Sequence, residues 1–313
     1  MSEAAAEDLP LPARRDKPVT LLHALEYGLL RVLFFVFRLI GVDAASALAG
    51  GFMRVVGPLL PVNRRADDNL RMIYPEMSPA ERRRIAAGVW ENLGRTAAEM
   101  AHLDKFRPGE ENGRVDVACA EHVRAVVRSG SPAIFVSGHF ANWEIMAILL
   151  HRWGAKPAVI YRAANNPLVD EFVIRTRAAV MGRLQIPKGK RGGRALIEAL
   201  RDGRSPALLV DQKLNDGIAA PFMGRDAMTA PAAARLSLKF GAPILAGRIE
   251  RLKGAHFRVI VDPPIAFTPT GETAEDVRAL TTLINQRLES YVRARPEQWL
   301  WLHRRWPKSV HVA

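Results

Sequence analysis

From about residue 115 the chain repeats one pattern: a short apolar run, a turn, then a segment of helical composition. "PAIFVS" (132–137), "KPAVIY" (156–161) and "PALLVD" (206–211) are continuous apolar runs without the in–out alternation of a half-exposed strand. Runs of that kind form strands buried on both faces. Helices are expected over 142–153, 167–181 and 192–202, from Pro231 onward, and over 273–295, with further strands at 242–250 and 256–262. Strands alternating with helices of this length dictate an α/β fold: a mostly parallel central sheet flanked by helices. A chain of 313 residues is long enough to bury a substantial core under such a sheet.

In open sheets of this kind ligands bind beyond the carboxyl ends of the strands. Three polar residues sit there: His139 after "PAIFVS" and a glycine, Arg162 directly after "KPAVIY", and Asp211 closing "PALLVD". The stretch "SGHFANWE" (137–144) adds Glu144, five positions beyond His139. With 8 His and 32 Asp or Glu in the chain, about 0.8 such pair arises by chance, so spacing alone carries no weight. Context carries it. If the helix starts near Asn142, Glu144 lies in its first turn and can face back to the imidazole. A carboxylate on one ring nitrogen fixes the tautomer and leaves the other nitrogen to take a proton from a hydroxyl. His139 and Glu144 are therefore the expected catalytic pair. Arg162, Asn142, Asp211 and Gln212 are the expected substrate-binding residues. The competing reading makes His139 structural and Glu144 a favourable charge at a helix N-terminus.

Upstream the character changes. Residues 1–20 are polar and rich in Pro and Ala, and are expected to be a disordered tail. Residues 21–60 are intensely apolar but interrupted by Arg31, Arg38, Asp43 and Arg54, so no stretch of about 20 uncharged residues exists to span a bilayer. Aliphatic and aromatic residues flanked by arginines suit a helical segment lying at a membrane surface. Residues 61–313 form the α/β domain, entered through a helix whose start is marked by Ser78, Pro79 and Glu81. The net charge of +13 favours an anionic partner: nucleic acid, an anionic membrane surface or an acidic carrier protein. The single cysteine, Cys119, excludes an internal disulfide, and without a second cysteine or a spaced histidine pair no zinc site is expected. "KGKRGGR" (188–194) lacks the Gly-Lys-Ser/Thr ending of a phosphate loop and reads as a basic loop for lipid phosphates or an acidic carrier. No Gly-x-Ser-x-Gly elbow is present for serine hydrolysis.

"SGHFANWE" resembles the His-(four residues)-Asp/Glu motif of the lysophospholipid/glycerolipid acyltransferase superfamily, and its Asn-Trp-Glu ending is similar to the lipid A lauroyl/myristoyl acyltransferase branch. "YRAANNP" (161–167), "DQK" (211–213), "PFMGRDAMTAPAAARLS" (221–237) and "PEQWLWLHRRWP" (296–307) are similar to further blocks of that branch, in the same order. The resemblance implies transfer of a fatty acyl group from an acyl carrier protein thioester, or a coenzyme A thioester, to a hydroxyl of a lipid A precursor. It implies work at the cytoplasmic face of the inner membrane, against an anionic lipid surface, with no nucleic acid partner. A thioester is already activated, so such chemistry calls for no cofactor and no metal. Other membrane acceptors, a phosphatidylinositol mannoside or a lysophospholipid, remain open, as does a non-enzymatic basic membrane-binding protein.

Overall fold

The computed structural model describes residues 18–307; most of the tail expected to be disordered lies outside the described residues. Four helices come first. α1 (Leu21–Ile40) and α2 (Val42–Val56) are followed by α3 (Asn63–Ile73) and α4 (Pro79–Glu99). The start of α4 is the box that its sequence announces. Ser78 Oγ accepts the Glu81 N–H at 3.3 Å and the Glu81 carboxylate accepts the Ser78 N–H at 2.9 Å, with Pro79 in the first turn. α1 buries none of its residues. It leans on the rest of the protein along one side only, where Tyr27 and Phe34 meet the Phe172 ring edge-on and Arg38 donates to the Ala101 carbonyl at 2.8 Å. Leu21, Leu25, Leu29, Val32 and Leu39 of α1 face outward, joined by Leu48, Phe52 and Val55 of α2. Among the described residues no single helix is long and apolar enough to cross a membrane; Val42–Leu59 and Asn63–Ile73 qualify only as a pair bent by 80°.

The rest is the expected α/β alternation: β1 (Val115–Ala118), α5 (Ala120–Ser129), β2 (Ile134–Ser137), α6 (Glu144–Arg152), β3 (Pro157–Tyr161), α7 (Pro167–Met181), β4 (Gln185–Pro187), α8 (Lys190–Arg201) and β5 (Ser205–Leu209). A hairpin of β6 (Ile218–Phe222) and β7 (Arg225–Thr229) interrupts it. Then follow α9 (Ala232–Phe240), β8 (Ile244–Lys253), β9 (His256–Val261) and α10 (Thr273–Ala294). Seven strands make one sheet in the order β1-β9-β8-β2-β5-β3-β4, parallel throughout except where β8 and β9 run antiparallel. Successive residues of β2 serve opposite layers, as the strand period requires. Val136 belongs with Leu280, Leu288 and Trp299, whereas Phe135 belongs with Ile145 and Leu149 of α6. The sequence reading omits β1, β4 and the hairpin. β1 and β4 are four and three residues long, too short for a pattern to declare itself. The hairpin turns on Met223 and Gly224, both at positive φ, where the common turn signal would be Asn-Gly.

Candidate active site

β5 lies between β2 and β3, so the three strands read as ending in His139, Asp211 and Arg162 are immediate neighbours. Their parallel register puts all three residues beyond one edge of the sheet. The link from β2 to α6 is built to hold an imidazole there. Gly138 is required: a Cβ at that position would stand 2.7 Å from the Phe140 ring and 3.1 Å from the Asp211 carboxyl carbon. Ala141 adopts a left-handed backbone (φ 44°), a conformation that costs an L-residue free energy and persists only where the surroundings enforce it. They do. Asn92 and Thr96 of α4 donate to the Ala141 carbonyl at 3.1 and 3.0 Å, and its N–H donates to the Gln298 carbonyl at 2.9 Å.

His139 is paired with Asp211. Its backbone N–H donates to Asp211 Oδ2 and its Nδ1 to Oδ1, both at 2.8 Å. The carboxylate is buried. Burial alone would push its pKa up, but the charge and hydrogen bonds of His139, with the Trp299 indole, outweigh that and hold it below the usual carboxylate range. An ionised carboxylate only accepts, so Nδ1 carries a proton and Nε2 is the nitrogen left to exchange one. Nε2 stands 3.3 Å from the side-chain nitrogen of Gln212, which can donate to it. Trp143 packs its ring edge-on to the imidazole at 5.1 Å.

Glu144 is engaged elsewhere, which corrects the pairing expected from its spacing. α6 begins at Glu144 itself, two residues later than expected. The Glu144 carboxylate accepts two hydrogen bonds from the Arg177 guanidinium of α7, at 2.9 and 2.5 Å, and one from the Trp143 indole at 3.1 Å. Burial works against the Arg177 charge, yet Glu144 beside it raises the Arg177 pKa, so the guanidinium keeps its charge. Asn142 is a second correction: it is fully buried, donates to Glu99 at 2.9 Å and accepts the Glu144 N–H at 3.2 Å, and it does not line the cavity. Asp211 is a third, since its oxygens are committed to His139 and Trp299 and it too is absent from the lining.

The cavity holds about 280 Å³. Along the strands it is walled by Phe135, Val159 and Ala207, with Met146 of α6 opposite; past the strand ends come His139, Gln212, Arg162, Lys188 and His303. Arg162 is exposed and makes no ion pair with another described residue. Lys188 follows β4 and donates its N–H to the Tyr161 carbonyl at 2.9 Å; burial lowers its pKa, Arg162 adds to that, and Asp211 opposes it. His303 is held down to about 4 by burial above all, and its Nε2 accepts the Lys213 N–H at 2.9 Å, so it stands neutral. Sequence reasoning assigns no role to Arg177, Trp299 or His303. The last two lie in "PEQWLWLHRRWP", whose density of tryptophan was the signal to follow. Cys119 is exposed and does not line the cavity.

An imidazole whose remaining lone pair faces a cavity with an apolar interior and a cationic rim can take a proton from the hydroxyl of a bound amphiphile. The family described as bacterial lipid A biosynthesis acyltransferase matches residues 16–308. The chain is 28% identical over 247 residues to the lipid A biosynthesis myristoyltransferase of Escherichia coli K12, covering 76% of this chain and 73% of that one. It is 25% identical to the lauroyltransferase of the same organism, covering 76% of each. It is also 23% identical over 235 residues to the phosphatidylinositol mannoside acyltransferase of Mycolicibacterium smegmatis, covering 74% of each. Since the first match takes in the N-terminal helices, the whole sheet and the tryptophan-rich C-terminal segment, the protein belongs to the bacterial lipid A biosynthesis acyltransferase family.

Proposed function

We propose that the protein transfers a fatty acyl group from an acyl carrier protein thioester to a hydroxyl of a lipid A precursor, a secondary acylation in lipopolysaccharide biosynthesis. The observation that carries this reading is the imidazole of His139, fixed by Asp211 with Nε2 turned into the cavity. An alcohol is a weak nucleophile at neutral pH, and a base in hydrogen-bond reach is what it lacks. In the proposed reaction His139 Nε2 takes the hydroxyl proton as the oxygen attacks the thioester carbonyl. The imidazolium is stabilised by the Asp211 carboxylate. Collapse of the tetrahedral intermediate breaks the carbon–sulfur bond, and the thiolate leaves with the proton that Nε2 had taken. Gln212 covers Nε2 until the acceptor arrives. Lys188 and Arg162 are placed to meet lipid phosphates or the developing oxyanion. In this assignment Glu144 braces α6 on α7 through Arg177 and leaves the proton transfer to His139.

The outward apolar face of α1 and α2 supports attachment to the cytoplasmic surface of the inner membrane, where an acceptor lipid lies within reach. Replacing Leu25, Leu29 and Val32 together by Gln is expected to leave the fold intact and remove most co-sedimentation with anionic vesicles. Unchanged binding would move the membrane contact to another face. The relative named for phosphatidylinositol mannoside acylation favours a second acceptor class. One experiment separates them: the purified protein is given lipid A precursor, phosphatidylinositol mannoside and lysophospholipid in parallel, with mixed acyl carrier protein or coenzyme A thioesters, and products are read by mass spectrometry. Acylation of lipid A precursor by wild type but not by His139→Ala is the expected result. Product from the mannoside alone would assign the second class, and transfer by the alanine variant within twofold of wild type would sink the mechanism.

A further inference from the structure

The C-terminal segment does more than cover the sheet. The Gln298 carbonyl accepts the Ala141 N–H, and Trp299 forms an antiparallel bridge with Phe140, so this segment meets the loop that presents His139. Trp299 is 2% exposed, and its indole Nε1 donates to Asp211 Oδ2 at 2.8 Å. Oδ2 also accepts the His139 N–H, and Oδ1 accepts Nδ1. Three donors therefore fix the plane of one carboxylate, and Trp299 supplies the one that does not come from His139 itself. The indole cannot drift. Its ring meets those of Phe222, Trp301 and Trp306 at 5.7, 4.7 and 6.3 Å between centroids. Behind it, Arg305 donates to the Met228 carbonyl at 3.0 Å and to Thr229 at 2.7 Å, and Asn69 donates to the Trp301 and His303 carbonyls at 2.9 Å.

We propose that Trp299 is a positioning residue for the transfer reaction: its indole N–H locks the Asp211 carboxylate in the plane that orients His139 toward the acceptor hydroxyl. The inference rests on the reading of His139 as the base. Its consequence is electronic as well as geometric, because a carboxylate that loses a neutral donor becomes a stronger base toward its remaining partner. Lys188, His303 and Arg305 also interact with Asp211, and none of them is altered when only the indole N–H is removed.

The test is replacement of Trp299 by benzothienylalanine, which keeps the bicyclic shape and lacks the N–H, with Trp299→Phe beside it. His139→Ala and Asp211→Asn serve as references. The isosteric variant is expected to unfold at the wild-type temperature within a few degrees, to lose 10- to 100-fold in kcat with little change in KM, and to shift the acid limb of its pH–rate profile to higher pH. A loss of kcat in the phenylalanine variant alone, with the isostere equal to wild type, would make Trp299 a packing residue and overturn the inference. If the isostere stays within twofold of wild type while His139→Ala is dead, the inference fails and the catalytic reading stands. If His139→Ala is itself active, the catalytic reading fails, whatever Trp299 does.

Discussion

Two buried carboxylates stand within a few residues of the same imidazole in sequence or in space, and they are used differently. Glu144 is locked to Arg177, a guanidinium that does not lose its proton at any physiological pH. Asp211 is held to His139, whose charge can change during a reaction. The first pair is a brace between α6 and α7. The second can cycle. A carboxylate becomes part of proton-transfer chemistry through the partner it is given, and nearness along the chain does not choose that partner.

The sharpest way to break this contrast is Asp211→Asn. The amide can present its N–H to Nδ1, forcing the proton onto Nε2 and removing the charge that stabilises the imidazolium. Turnover is expected to fall about 10³-fold with the fold retained, within the range for losing an oriented base. Loss of no more than threefold would return Glu144 to contention. Glu144→Gln tests the other arm. It leaves a buried guanidinium without its counter-ion, so stability is expected to drop by about 3 kcal/mol in denaturant unfolding. Transfer at a temperature where the variant is folded is expected to fall less than tenfold. A variant that is stable yet inactive would assign Glu144 to the chemistry.

Arg162 sharpens the comparison in a smaller way, as a cation with no carboxylate partner among the described residues. Arg162→Lys keeps the charge but loses the two-pronged geometry suited to phosphate, and a loss of about tenfold in kcat/KM is expected. Wild-type kinetics, with Arg162→Ala lowering only thermal stability, would make it a surface residue of no catalytic account. The smallest effect concerns pH and folding. His303 titrates at about 4 in the native protein against an ordinary imidazole value of 6.5, because burial disfavours its charged form. Between those values the unfolded chain binds a proton that the native state refuses, so stability is lost as pH falls from about 6.5 toward 4. His303→Gln keeps an acceptor for the Lys213 N–H and is expected to flatten that slope, measured as the change in urea midpoint between pH 7 and pH 4.5. An unchanged slope would rule out His303 as its source, and the loss is not expected at Asp211. There the depressed pKa works in a lower window: its contribution is full above the unfolded value near 4 and fades as pH falls below it.

What the sequence discloses follows from the range of the interactions concerned. Buried strands and the residues just past them are local patterns, so His139, Arg162 and Gln212 are legible as neighbours of one cavity. The partner of His139 is a matter of sheet order: β5 sits next to β2 across 72 residues of intervening chain, and nothing local to "SGHFANWE" records it. Glu144 competes well on paper because its distance along the chain is visible, whereas that of Asp211 is not. Asn142 misleads for the same reason, being close in sequence while its side chain turns back toward Glu99. Trp299 lies farther still, 88 residues beyond Asp211, in a segment whose composition is conspicuous and whose contacts are not.

The bonds from residues 296–306 to the loop after β2 also set a timetable. α1 and α2 are made first and β2 with His139 later, yet the Ala141 N–H has no acceptor and Asp211 Oδ2 lacks its second donor until Gln298 and Trp299 have been synthesised. At roughly 5–20 residues per second, that delay is on the order of 15–50 s after α1 leaves the ribosome. A chain still being translated thus displays its outward apolar helices while His139 has no complete setting, and it gains that setting only as the tryptophan-rich segment folds in.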